Sequence, residues 1–171
     1  IKVISKANAG TGHTMNIGFE AATGEYLAIL ESDDFILPNM YEDLYAIAKG
    51  YGDLDFVKSD FYRFWGDGGN RKIEYGALSD KKAYYNTKLN PSLDISMLRI
   101  ANVMATGIYK RSFIEEYNIK YNETPGAEFQ DNGFWFQVFL QAKSAYIVDK
   151  AYYMIRRDNE NSSVKSKDKV Y

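Results

Sequence analysis

Three carboxylates fall within four positions, Glu31, Asp33 and Asp34, just after the apolar run Tyr26-Leu27-Ala28-Ile29-Leu30. Side chains alternate faces along an extended strand, so Glu31 and Asp33 point the same way if the strand persists to Asp33. Two oxygen ligands on one face make a seat for a hard divalent cation, and Mg²⁺ or Mn²⁺ held this way is usually shared with substrate phosphates. A solvated acidic turn is the alternative reading of the triplet. Asp131 is the second candidate for chemistry: it follows a Pro-Gly break, lies between Gln130 and Asn132, and opens an aromatic-rich predicted helix. An aspartate there can act as a general base, as a helix N-cap, or as both. Near the end, Arg156 and Arg157 precede Asp158-Asn159 and Asn161-Ser162-Ser163. Such residues suit the gripping of phosphate oxygens, or else form a solvated basic turn.

Other chemistries are excluded. His13 is the only histidine, which removes multi-histidine zinc sites and reads as a capping or packing residue. Without cysteine there is neither a disulfide nor a thiolate metal site. Gly10-Thr11-Gly12 suggests a dinucleotide fingerprint, but position 15, where the third glycine should fall, is Met15. No P-loop string occurs either. The start of the helix beside this loop can still receive an anion.

The elements that must position these residues follow from periodicity. A strand is predicted at Lys2–Ser5, a helix at His13–Thr23 and a strand at Glu25–Leu30, which together imply a right-handed crossover in a parallel sheet. Asn39 is expected to cap a second helix carrying Met40, Leu44, Ile47 and Tyr51, followed by a strand at Leu54–Ser59. Phe61–Trp65 and Arg71–Tyr75 flank a Gly-rich turn and read as a hairpin. A helix over Pro91–Met104, a strand over Ala105–Tyr109 and a short helix over Ser112–Tyr117 come next. Phe134, Val138 and Gln141 mark a third long helix, and Ala145–Val148 and Tyr152–Ile155 two final strands. Beyond Arg157 the chain is expected to be loose. The class is α/β, and residues 1–171 form one domain.

At 171 residues, with 46% hydrophobic and 26% charged residues, the chain can build a core. A net charge of −2 gives no basic field to recommend nucleic acid as a partner. No apolar run is long enough to span a membrane. The aromatic content of 16% suits a groove that handles sugar rings, although core packing explains it equally well.

The string from Asn8 to Leu44, NAGTGHTMNIGFEAATGEYLAILESDDFILPNMYEDL, resembles the G-x-x-x-x-x-N-x-G…A-x-G-E-Y…D-x-D-D…P…L pattern of family-two glycosyltransferases of the bacterial capsule and lipopolysaccharide kind. PGAEFQDNGFWF (Pro125 to Phe136) resembles the segment carrying that family's catalytic aspartate, and YYMIRRDNENSSV (Tyr152 to Val164) its closing Y-x-x-R-x-x…N-S motif. The resemblance implies the GT-A fold, a Rossmann-like mixed sheet flanked by helices. Here it is N-terminally incomplete, because the family's opening nucleotide-reading segment would precede Ile1. It also implies transfer, with inversion, from a nucleotide-diphosphate sugar, with UDP favoured, to a glycan or lipid-linked acceptor in surface polysaccharide synthesis.

Carried over residue by residue, Asp33 matches the last acid of the D-x-D motif and, with Glu31, would hold Mn²⁺ or Mg²⁺. Glu31 replaces the usual aspartate. Asp34, Asn16 and Arg157, with Arg156 as the neighbouring alternative, would contact the donor. Asp131 matches the general base, with Gln130 in place of the acid that often precedes it. Acceptor recognition falls to the stretch Phe61–Asn122, where Trp65 and several tyrosines could stack on sugars. The resemblance places the protein in the cytoplasm, leaving peripheral contact with the inner face of the bacterial membrane and oligomer formation open. Two rivals share the fold: a silent module that binds a sugar nucleotide or glycan, and a nucleotidyltransferase.

Overall fold

The computed structural model describes residues 1–124 and 130–160. Two parts of the sequence reading, the Pro125-Gly126 break and the Asn161-Ser162-Ser163 segment, lie outside them. Helix α1 spans Gly10–Ala21, beginning three residues before His13, and is followed by the short strands β1 (Tyr26–Ala28) and β2 (Phe35–Ile36). Helix α2 (Met40–Gly50) turns Met40, Leu44 and Ala48, at spacings of four, into the core, where all three are fully buried. The ten-residue strand β3 (Phe56–Trp65) forms the predicted hairpin with β4 (Lys72–Gly76), Phe64 lying opposite Ile73. Strands β5 (Lys88–Leu89) and β6 (Gly107–Lys110), helices α3 (Arg111–Glu116) and α4 (Gln130–Gln141), and strand β7 (Ala145–Arg156) complete the order.

The seven strands make one mixed sheet in the order β1-β6-β3-β7-β2, with β4 added beside β3 and β5 beside β7. Only β3 and β7 run parallel; every other pair is antiparallel. The expected opening crossover therefore does not form. Residues 1–9 adopt no regular structure, and Ile1 and Val3 lie in solvent. An extended segment becomes a strand only where a neighbour takes its backbone hydrogen bonds, and β1 gives its own to β6.

Three further expectations are corrected. Asn39 precedes α2 in a left-handed conformation (φ 67°) and its side chain bonds no backbone N–H, so Glu42 and Asp43 supply the first-turn negative charge instead. Pro91–Met104 is not a helix but a series of 3₁₀ turns at Pro91–Leu93, Ile95–Arg99 and Met104–Thr106. Its Asp94 carboxylate accepts the Ser96 N–H at 3.0 Å, competing with the backbone ladder and dividing the segment. The two closing strands are one: β7 continues through a bulge in which Ser59 and Asp60 of β3 pair with Val148 and Ala151, leaving Asp149 and Lys150 unpaired.

Candidate active site at the acidic turn

Strand β1 ends at Ala28, and the acids are gathered by a turn rather than by strand alternation. The Asp34 N–H donates to the Glu31 carbonyl at 3.2 Å, folding Glu31–Asp34 into a β-turn. One oxygen from each of Glu31, Asp33 and Asp34 lies within 4.8 Å of the others, a spacing that a single cation can bridge. β7 fixes the turn from below. The hydroxyl of fully buried Tyr153 accepts the Glu31 N–H at 3.1 Å, and the Arg156 N–H donates to Asp34 Oδ1 at 2.8 Å. Asn159 Nδ2 donates to Asp33 Oδ2 at 2.6 Å. Each aspartate thus has one oxygen oriented by the protein.

Glu31 is exposed and Asp33 and Asp34 are half-buried, and the three carboxylates act on one another. Loss of hydration on the inner side of the turn, then the charges of Asp34, Asp33 and Asp131, push the Glu31 carboxyl above its ordinary value. Asp34 is also raised, mainly by burial, although the Arg156 N–H, the Tyr153 hydroxyl and the charge of Arg157 pull the other way. Crowded carboxylates with raised proton affinity are what a divalent cation would relieve. The influence of Asp131 on Glu31 also places the second chemical candidate in the same field.

Asp131 occupies the first turn of α4, half-buried, with Gln130 as the first helical residue. Its Oδ2 receives Asn102 Nδ2 at 3.4 Å, and the same amide nitrogen donates to Asn132 Oδ1 at 2.6 Å. Asp131 Oδ1 has no hydrogen-bond partner among the described residues and is open to a ligand proton. Gln130 is buried: its Oε1 accepts the Gly12 N–H at 2.7 Å, and its Nε2 donates to the Thr124 carbonyl. The start of α1, read as a place for an anion, therefore has two of its N–H groups satisfied by protein, that of Gly10 by Asn8 Oδ1 and that of Gly12 by Gln130. Gly12 is required there by close approach, since a Cβ would lie 1.9 Å from the Asn122 carbonyl oxygen.

Asn16 is buried on α1, donating to the Tyr121 carbonyl (3.0 Å) and Glu123 Oε1 (2.7 Å) and accepting the Tyr121 N–H (2.9 Å). Its amide holds the segment that leads into α4. His13 assists, with Nδ1 3.0 Å from Glu123 Oε2. The two arginines differ. Arg156 is engaged with Asp158 (2.9 Å) and Asp67 (2.7 Å). Arg157 is exposed, and its side chain makes no hydrogen bond or ion pair with a described residue, although its charge reaches Asp34. The ring of Trp65 carries the Lys72 ammonium at 4.9 Å.

Sequence reading missed Tyr153, Asn102 and Lys58. Lys58 had a signal, a cation inside the apolar strand pattern LDFVKSDF, two positions before the equally buried Asp60. Asn102 had none, because its partners lie about thirty positions away in sequence.

Residues 1–123 match the family described as Glycosyl transferase family 2, and the chain belongs to that family. It is 26% identical over 166 residues to the uncharacterized glycosyltransferase YibD of Escherichia coli (strain K12), covering 95% of this chain and 47% of that protein. To the uncharacterized glycosyltransferase EpsJ of Bacillus subtilis (strain 168) it is 24% identical over 174 residues, covering 95% of this chain and 46% of EpsJ. The chain spans about half the length of these curated relatives. In architecture it matches the crystal structure of S. aureus TarS 1-349 in complex with UDP-GlcNAc, with a TM-score of 0.69 at 18% identity over 95% of this chain and 43% of that one. The seven-stranded mixed sheet with its flanking helices is thus the GT-A fold. Among the described residues, no helix is long and apolar enough to cross a membrane.

Proposed function

We propose that this chain is the catalytic part of a metal-dependent, inverting glycosyltransferase that moves a sugar from a UDP-sugar to a hydroxyl of a glycan or lipid-linked acceptor in surface polysaccharide synthesis. The observation that carries the reading is the convergence of the Glu31, Asp33 and Asp34 oxygens in a field shared with Asp131. Asp33 and Glu31 would hold Mn²⁺ or Mg²⁺, which when bound stabilises the charge of the leaving diphosphate. Arg157, which pairs with no described residue and whose charge reaches Asp34, supplies a further positive charge for phosphate oxygens. Asp131 Oδ1 takes the acceptor hydroxyl proton as that oxygen attacks the anomeric carbon and the nucleoside diphosphate departs from the opposite side. Asn16, whose amide is taken up by Tyr121 and Glu123, would serve the donor site indirectly, by holding that segment. UDP as the nucleotide is supported by the TarS likeness, since that protein was solved with UDP-GlcNAc. A site on the cytoplasmic side of the membrane, with the chain forming one domain, accords with the family.

A silent module that binds a sugar nucleotide without transfer is the second reading. It is favoured by Gln130, whose amide is occupied by Gly12 and Thr124. Calorimetric titration of UDP with Mn²⁺, and again with chelator, tests the donor site. The expected result is metal-dependent binding that Asp33→Ala weakens; equal affinity in all three conditions refutes the metal assignment. Nucleoside diphosphate release from a UDP-sugar in the presence of acceptor then separates transferase from silent module.

A further inference from the structure

Lys58 is a buried amine for which the reaction above has no use. It is wholly inside the molecule on β3, and no carboxylate lies within hydrogen-bond reach of it among the described residues. Its Nζ donates to the Val103 carbonyl at 2.6 Å and to the Tyr109 hydroxyl at 3.2 Å, and sits 5.5 Å from the Trp135 ring centroid. Neither oxygen depends on it. Thr106 Oγ1 also donates to the Val103 carbonyl at 2.9 Å, and the Tyr109 hydroxyl is itself turned to the Met104 carbonyl at 2.7 Å. The amine satisfies no group that would otherwise be orphaned, and burying it opposes folding.

What it touches is informative. Val103 is the neighbour of Asn102, and Trp135 lies one helical turn beyond Asp131 on α4. Asn102 carries a second local cost: its Oδ1 is buried without a hydrogen-bond partner, while its Nδ2 serves Asp131 and Asn132. Turning the amide over would place an oxygen against the Asp131 carboxylate, so the present orientation keeps an N–H on Asp131 Oδ2 and leaves Oδ1 free. A buried amine with no ion partner and an orphaned carbonyl therefore converge on the two sides of one contact. Such local costs persist where the arrangement itself is needed.

We propose that Asn102, held from beneath by Lys58, is the positioning residue that fixes the Asp131 carboxylate for proton abstraction. Asn102 selects the oxygen that faces the acceptor, and Lys58 ties the Asn102–Val103 segment to the Trp135 turn of α4. The inference rests on Asp131 being the base. It predicts a separation that a purely structural role would not produce. Lys58→Met should melt several degrees higher than the parent protein, because nothing is orphaned and the interior no longer holds an amine stripped of its hydration. Its kcat should nevertheless fall, with the KM for the sugar nucleotide unchanged. Asn102→Ala should lower kcat about tenfold or more, the worth of a hydrogen bond to a charged group.

The geometry can be tested apart from turnover. In the NMR spectrum of the chain, the Asn102 side-chain amide protons should shift when Asp131→Asn removes the neighbouring charge. An insensitive Asn102 signal overturns the proposal. So does a Lys58→Met protein that loses stability and activity together, or one that is more stable and fully active. A shifted amide signal with no transfer by the parent protein would instead reject the reading of Asp131 as base.

Discussion

The buried amine of Lys58 makes stability depend on pH in a range where few other groups titrate. Burial lowers its pKa from the ordinary 10.5 to about 7. Each tenfold step in proton affinity is worth about 1.4 kcal/mol, so the full span amounts to about 5 kcal/mol. Between pH 7 and 10.5 the unfolded chain binds a proton that the native chain lacks, so stability must rise with pH. The penalty is complete below pH 7, where both states are protonated, and is relieved above 10.5. Tyrosines act in the opposite sense only above pH 10, because burial raises them; Tyr26, for example, is pushed up to about 12. Urea unfolding at pH 7.5 and 9.5, followed by tryptophan fluorescence, should therefore show a gain of about 2–3 kcal/mol at the higher pH. The gain should appear as a higher midpoint with an unchanged slope, and Lys58→Met should abolish it. A flat profile, or a Met variant that keeps the rise, would show that Lys58 is not desolvated as described.

Other outcomes follow from single contacts. Asp131→Asn should abolish transfer while leaving metal-dependent UDP binding intact, measured by product release and calorimetry. Tyr153→Phe removes the hydroxyl that accepts the Glu31 N–H; a loss of about 1–2 kcal/mol in urea unfolding and weaker Mn²⁺-dependent UDP binding are expected. Gly12→Ala improves helix propensity yet drives a Cβ against the Asn122 carbonyl, and should lower stability by more than about 2 kcal/mol in the same assay.

How much of this was legible in the sequence depended on whether the cause was local. The helical spacing of Met40 and Leu44 is a property of one helix, and the Gly-rich turn after Trp65 announces its own hairpin; both elements formed, although Ala48 completes the buried face while Ile47 is half-buried and Tyr51 exposed. The acidic triplet stands close together in the chain and in space, but through a turn that strand alternation did not foresee. Lys2–Ser5 reads as a strand because its residues suit one, whereas pairing is decided by neighbours elsewhere. Pro91–Met104 has helical periodicity that one aspartate was enough to divide. The roles of Gln130, Asn102 and Tyr153 were illegible for a shared reason: each is defined by partners that only the folded sheet brings near.

The dependence of the acidic turn on β7 has a consequence for synthesis. Glu31, Asp33 and Asp34 leave the ribosome early, but Tyr153, Arg156 and Asn159, which orient them, come more than a hundred positions later. β3 also waits for its parallel partner, Phe56 pairing with Ala145. Parallel pairing over such distances is slow, and chains that must wait expose apolar strand surface meanwhile. A nascent chain stalled before Ala145 would therefore carry every acid of the turn and none of its supports. On the proposed reading, sugar-nucleotide binding would arise abruptly, at the last stage of folding, and removal of β7 and the residues after it should abolish it.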